Sequence, residues 1–144
     1  MENASKALIM AGGVLIGVLI ISLAVYLFVS FGQTSAEINS ENSQKQLSQF
    51  NAKFTSYEGR NDITIYEILT VASYANENNE YYKDGDSNYL IQVICNNINV
   101  ANSAGVNRLK GEIKTQQQSG LKSYKCSGIS YNKNGRVNKI TFKQ

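Results

Sequence analysis

The chain has two cysteines, Cys95 and Cys126, and no histidine. Without histidine it cannot form a Ser-His-Asp triad, a Cys-His pair or a histidine-containing zinc site, and two cysteines are too few for an all-cysteine structural zinc site. Both cysteines lie in segments with a strand pattern, so pairing those strands in a sheet would bring the side chains together. We therefore predict a disulfide, worth about 3 to 4 kcal/mol in an exported domain. The alternative is two free thiols in a cytosolic domain.

Carboxylates are the other candidate catalytic groups. Glu58, Asp62 and Glu67 would have to converge in a cleft to act as acid and base, and each has a simpler role as a helix cap or a surface charge. The Asp-Gly-Asp sequence at residues 84–86 favours a tight turn, and it lacks the closing glutamate of an EF-hand calcium loop. We therefore predict a protein that is not an enzyme, with no catalytic residues, metal or cofactor.

Charge is distributed unevenly along the chain, although the net charge is only +3. Residues 32–107 have a net charge of −5, whereas residues 108–144, with nine basic residues and one acidic residue, have a net charge of +8. This asymmetry indicates either an anionic partner, such as lipid headgroups, a cell-wall polymer or nucleic acid, or balance between the two halves of the chain. Lysines also occur on exposed edge strands without any ligand. The candidate residues for an anionic partner are Lys122, Lys125, Lys133, Arg136, Lys139 and Lys143.

Residues 7–31 form an uncharged run of 25 residues whose polar side chains are only Ser22 and Ser30. About 20 apolar residues cross the hydrocarbon core of a bilayer, and a soluble core helix of this length would have a polar face. A signal peptide has a shorter apolar stretch, although the small residues at 34–36 leave cleavage as an alternative. We predict one transmembrane helix at residues 7–31 after a short tail at residues 1–6.

The basic residues around this run indicate its orientation. The N-terminal amine and Lys6 precede it, whereas the first basic residue after it is Lys45, fourteen positions beyond its end. The positive-inside rule then places the N-terminus in the cytoplasm and the C-terminal domain outside, and the predicted disulfide favours the same orientation. Within the run, Gly13 and Gly17 leave a flat strip on which a second copy or another single-pass helix can pack, unless they simply face lipid.

The residues after the run indicate a polar helix that leads into a small domain. Residues 32–46 are almost entirely polar and predict a solvated stalk, and residues 47–144 form the domain. A helical face begins at residue 47 and should end near Gly59. The apolar residues of that face are Leu47, Phe50, Phe54 and Tyr57. Thr64 and Glu67 then fit the capping box of a second helix, which should run to about Asn78.

The remaining segments complete an α+β fold. Residues 89–95 suit a strand, and residues 106–118 are either a short helix or a long loop. Residues 123–131 and 136–142 flank an Asn-Lys-Asn-Gly sequence, which predicts a C-terminal antiparallel β-hairpin, with a bulge where the alternation breaks. The expected fold is a long N-terminal membrane-spanning helix with a polar extension, followed by a small α+β head that ends in this hairpin.

This outline resembles the architecture of type IV pilin-like proteins. Their processing motif is not present, since the apolar run follows Lys6 and not a glycine, and no glutamate occupies the fifth position after it. Residues 1–8, the apolar continuation and residues 49–59 are similar to uncharacterised short single-pass membrane proteins of Gram-positive, clostridia-like bacteria. That resemblance implies the topology and adds no site residue.

Two functions fit these features. The first is a membrane-anchored, non-enzymatic envelope protein that acts as a structural or self-assembling, pilin-like subunit, with acidic and basic surfaces meeting between copies. The second is a monomeric surface-binding module whose basic C-terminal hairpin holds an anionic polymer or lipid headgroups. Binding through basic residues should weaken steeply with salt, whereas packing between membrane helices should not.

Overall fold

The computed structural model describes residues 1–144 and has an α+β fold, which confirms the predicted class. The chain divides into two compact units, residues 1–45 and residues 46–144, and we call the second unit the head. The elements are α1 (Glu2–Thr55), α2 (Ile65–Tyr82), β1 (Gln92–Cys95), β2 (Ile98–Asn99), α3 (Ser103–Ser119), β3 (Lys125–Tyr131) and β4 (Val137–Lys143), with a single 3₁₀ turn at Ser87–Tyr89.

The first unit is entirely helical from residue 2. Its apolar part is the only segment long and apolar enough to cross a membrane, and none of that stretch is buried within the protein. Residues 32–45 continue the helix and are all exposed, as expected for a solvated polar extension. A candidate membrane span followed by a polar helix is therefore present.

The last turns of α1 belong to the head and provide part of its core. Phe50 and Phe54 are buried there, and Leu47 on the same face is half-buried, as is Tyr57 in the turn after the helix. The helix ends at Thr55, and Gly59 follows in a left-handed conformation (φ 73°) that glycine adopts without strain. The apolar spacing of three and four residues therefore predicted this docked face correctly.

Helix α2 begins with the predicted capping box. The Thr64 hydroxyl accepts a hydrogen bond from the Glu67 backbone N–H, and the Glu67 carboxylate accepts one from the Thr64 backbone N–H at 2.8 Å. Such a cap stabilises a helix by about 1 kcal/mol. Ile63 and Ile68, on either side of the cap, are fully buried.

The predicted end of α2 near Asn78 is wrong by about one turn, because the asparagines there are used in packing. Asn79 donates from Nδ2 to the Ile91 carbonyl at 2.8 Å and accepts from the Ile91 backbone N–H at 2.8 Å. Its Nδ2 also lies 3.1 Å from the carbonyl oxygen of Ala101. These bonds attach α2 to the segments before β1 and after β2, so the helix continues to Tyr82.

The four strands form one sheet in the order β2-β1-β4-β3. Strand β4 is central because it pairs in parallel with β1 and antiparallel with β3. The antiparallel hairpin of β3 and β4 was predicted, whereas the parallel pairing was not. The strand expected at residues 89–95 is shorter than predicted, since the residues before Leu90 form the 3₁₀ turn.

Two further elements were open or missed in the sequence. The segment after β2 is a helix, α3, which begins at an Asn102 cap and carries Gly105 against the backbone of Val100, where a Cβ would collide. Strand β2 follows a two-residue turn in which Asn96 (φ 47°) and Asn97 (φ 67°) are both left-handed. Asparagine tolerates this conformation, so the turn closes a tight hairpin with β1.

The C-terminal hairpin contains two irregularities that offset each other. The register shifts once between Cys126 and Gly128 and once between Ser130 and Tyr131. The partner residues show that the first shift leaves Ser127 as the extra residue of β3 and the second leaves Asn138 as the extra residue of β4. The predicted bulge is therefore confirmed.

The sheet has one covered face and one open face. Val93, Cys95, Ile140 and Phe142 point to the covered face and are buried with residues of the three helices. Their sequence neighbours on β1 and β4, on the other face, are exposed or half-buried. A two-layer head with an open sheet face results.

Candidate functional site

Gly13 and Gly17 lie in the apolar part of α1, where nothing in the chain covers them. A Cβ added at either position would meet no atom within 4 Å. Most of the large apolar side chains around them are more than half exposed. The predicted packing strip is therefore free for lipid or for another helix.

The predicted disulfide between Cys95 and Cys126 is not formed, and both cysteines are free. The sheet register gives the reason, because both residues pair with Phe142, from opposite sides of β4. Neighbouring strands are about 4.8 Å apart, so the two Cα atoms are separated by about 9 to 10 Å. A disulfide needs Cα atoms less than about 7 Å apart. Here strand β4, with Phe142 at the paired position, lies between the two cysteines.

The two thiols are poorly reactive in this setting. Burial raises the pKa of Cys95 to about 11, with Glu112 adding to the shift, and burial also raises the pKa of Cys126. A thiol attacks as its thiolate, so both are largely protonated at neutral pH. Without the disulfide, the charge bias around the apolar run is the remaining argument for an exported head.

Three of the predicted basic residues share the open face of the sheet, which we call the lysine face. Lys125 and Lys143 are directly opposite each other on β3 and β4, and Lys139 lies further along β4, next to Gln92 and Ser130. All three lysines are exposed. Like charges directly opposite each other are unfavourable, so the pair would be stabilised by an anion.

The other three predicted residues lie elsewhere. Lys122 lies in the segment between α3 and β3, where its Nζ is 3.4 Å from the Gln144 side-chain oxygen. Lys133 is exposed in the hairpin turn. Arg136 is half-buried immediately before β4, with its guanidinium over the Phe50 ring. The structure therefore brings together three of the six candidates.

Arg136 binds within the protein, and the sequence did not indicate this role. Its guanidinium carbon lies 3.3 Å from the centre of the Phe50 ring and 5.3 Å from that of Tyr89, and its Nη2 donates to the Asn78 side chain at 2.9 Å. Burial lowers its pKa. Because these partners are far apart in the chain, no local motif could have identified the contact.

Two of the three carboxylates that an enzyme would need are held in ion pairs, whereas the third, Glu58, is exposed and forms no ion pair. Arg60 donates to Asp62 at 3.0 Å and to Glu67 at 2.8 Å. The Thr64 backbone N–H, assisted by Arg60, holds the pKa of Glu67 below its usual range. Neither carboxylate has the raised pKa of a general acid. No group of three or more histidine, cysteine, aspartate or glutamate side chains could hold a metal ion.

The charge asymmetry is not neutralised by ion pairs within the head. Of the basic residues after position 107, only Arg108 has an acidic partner, and that partner is Glu112 on the same helix. Exposed acidic residues cluster instead at the end of α2 and in the turn after it. This acidic patch consists of Glu77, Glu80, Asp84 and Asp86, with Lys83 bonded to Glu80.

The chain matches no protein-family model, no curated protein and no solved structure. Its own residues offer an uncovered apolar helix with two open glycines, a lysine face without acidic partners, and an acidic patch. These three surfaces are the basis for a functional proposal.

The free thiols give a direct prediction. In full-length protein purified without reductant, both cysteines should react with maleimide after unfolding. In the folded protein Cys126 should react first, because it is half-buried whereas Cys95 is buried, and labelling should speed up as the pH rises toward the thiol pKa values. Mass spectrometry with thiol counting measures this. Protein that remains unlabelled after unfolding, and is lighter by two hydrogens, would contradict the strand register.

Proposed function

We propose that the protein is a membrane-anchored, non-enzymatic subunit of an envelope assembly, with its N-terminus in the cytoplasm and its head outside. The observation that carries the proposal is a pair of oppositely charged surfaces, the acidic patch and the lysine face, that form no ion pair with each other within the head. The acidic patch has four carboxylates, of which only Glu80 is paired with a lysine, whereas the open face of the sheet carries three lysines and no acidic residue. Two copies can neutralise each other where one copy cannot.

The acidic patch and the lysine face are different surfaces, and this determines the kind of assembly. A contact between unlike surfaces is head-to-tail, and it generates a ring or an open filament instead of a closed two-fold dimer. At physiological salt the attraction between exposed charges decays over about 8 Å, so such a contact is weak alone. Confinement of the chains in a membrane by α1 would raise their effective concentration and strengthen it.

The glycine strip supports the same proposal from within the membrane. Gly13 and Gly17 are four residues apart and lie on one helix face, where small side chains let two helix backbones approach closely. Both positions are uncovered in the single chain. Packing between copies at this strip would hold two chains together within the membrane.

Replacing both glycines by leucine should separate the copies. The added side chains keep the segment apolar, so the Gly13→Leu/Gly17→Leu chain should still enter membranes, but it should shift from oligomer to monomer. Native mass spectrometry in mild detergent, together with cross-linking in membranes, measures the distribution.

Gly32→Leu is the matched control, since Gly32 is equally uncovered but lies outside the apolar run. It should leave the oligomer unchanged. A wild-type chain that is monomeric in both measurements would contradict the proposal.

A second candidate function has its own supporting observation. The direct opposition of Lys125 and Lys143, with Lys139 on the same face, is what a polyanion-binding surface requires. In this case the protein is a monomeric module that holds an anionic cell-wall polymer, lipid headgroups or nucleic acid. Arg136 would not take part, because its guanidinium is enclosed by aromatic rings.

Charge reversal on the lysine face tests this second function. Lys125→Glu/Lys143→Glu should release full-length protein from immobilised heparin at a much lower salt concentration than wild type, with a loss of affinity of about tenfold or more. Lys110→Glu/Lys114→Glu on α3 makes the same change in net charge on exposed residues away from this face. Equal effects of the two pairs would show that net charge alone determines retention and would refute a specific surface.

A further inference from the structure

A polar cleft of about 330 Å³ lies beside the lysine face, at the 3₁₀ turn, the start of β1 and the C-terminal hairpin. None of the residues that line it is charged, and four of the six carry a carboxamide group. They are Ser87, Asn88, Leu90, Gln92, Asn132 and Asn138. We call it the amide cleft.

Asn138 is placed in this cleft by the bulge in β4. As the extra residue between two paired positions, it is released from the alternation of the strand, and bulges commonly redirect a side chain in this way. Its Oδ1 atom is buried and has no hydrogen-bond partner. An unsatisfied buried acceptor costs about 1 to 3 kcal/mol, and a donor from a ligand would satisfy this oxygen once the amide turns it into the cleft.

The four carboxamides divide into two that support the fold and two that are free. Asn132 accepts from two backbone N–H groups of the hairpin turn and donates to the Asn88 carbonyl at 2.9 Å. Asn88 in turn donates to Asp86 at 2.7 Å. Gln92 and Asn138 form no side-chain hydrogen bond with the protein. The cleft therefore has a rigid wall and two available amide groups.

We propose that the amide cleft binds a single neutral sugar ring. A carboxamide offers one acceptor and two donors, which match the hydroxyl groups of a sugar, since each hydroxyl both donates and accepts. The absence of charged side chains from the lining favours a neutral ligand over an anion. The volume is near the lower end of small-molecule sites, about 300 Å³, and suits one ring. Rotation about χ2 of Asn138 would turn its buried oxygen toward the ligand.

This site differs from the assembly surfaces in chemistry, although Gln92 is the cross-strand neighbour of Lys139 on the lysine face. Binding by neutral hydrogen bonds should be insensitive to salt, whereas contacts through the lysine face should be screened. The sugar-binding proposal therefore does not depend on self-assembly. It would give the head a carbohydrate contact of its own in the envelope.

The test uses full-length, ¹⁵N-labelled protein in dodecylphosphocholine, a detergent without a sugar headgroup. Titration with glucose and with N-acetylglucosamine should shift the side-chain amide resonances of Gln92 and Asn138 for at least one of the sugars. Gln92→Leu and Asn138→Leu should each weaken binding at least tenfold, and raising the salt concentration should leave it unchanged.

Two control variants separate loss of the binding site from loss of the fold. Asn107→Leu removes an exposed amide on α3, outside the cleft, and should bind as wild type does. The Gln92 side chain is exposed and makes no hydrogen bond within the protein, so its variant should fold even if Asn138→Leu disturbs the bulge. The proposal is overturned if neither sugar shifts these resonances, or if Gln92→Leu and folded Asn138→Leu bind as wild type does.

Discussion

The apolar run at the start of α1 has no cover within the chain, and the role of the whole molecule depends on this constraint. Its side chains are exposed, and none belongs to the core, whose buried hydrophobic residues all lie between Phe50 and Phe142. The head completes its core without the run, so the apolar surface of the run can be covered only by lipid or by other helices. Burying apolar surface contributes about 25 cal/mol per Å². The head is the part of the chain that has a core of its own.

The sheet of the head is organised by β4, which is bonded on both edges and covered on one face. Ile140 and Phe142 pack beneath the helices, while the alternate residues of the same strand reach the open face. One strand thus carries both buried core residues and lysines of the lysine face. Its bulge directs the Asn138 carboxamide into the amide cleft. The positions of Lys139, Lys143 and Asn138 follow from the pleat of this strand and one departure from it, whereas the acidic patch lies on α2 and the turn after it.

The sequence predicted those features that depend on residues a few positions apart. The capping box of Thr64 and Glu67, the apolar face of α1 in the head and the Asn-Gly hairpin are local patterns, and all are confirmed. The disulfide was wrong because strand order is not local: placing β4 between β1 and β3 separates Cys95 from Cys126. The parallel pairing and the Arg136 cluster likewise join segments that are distant in the chain. The sequence therefore identified the basic residues of the candidate surface, but it could not show which of them share one face of the sheet.

Labelling of single cysteines on intact cells tests the central claim, one membrane span between a short tail and a folded head. Native cysteines are replaced by alanine, and a cysteine is placed at Asn3 or at Asn134, both exposed. A membrane-impermeant maleimide should label position 134 on intact cells and position 3 only after permeabilisation. Equal labelling of both positions on intact cells, or recovery of the protein in the soluble fraction, would contradict the account.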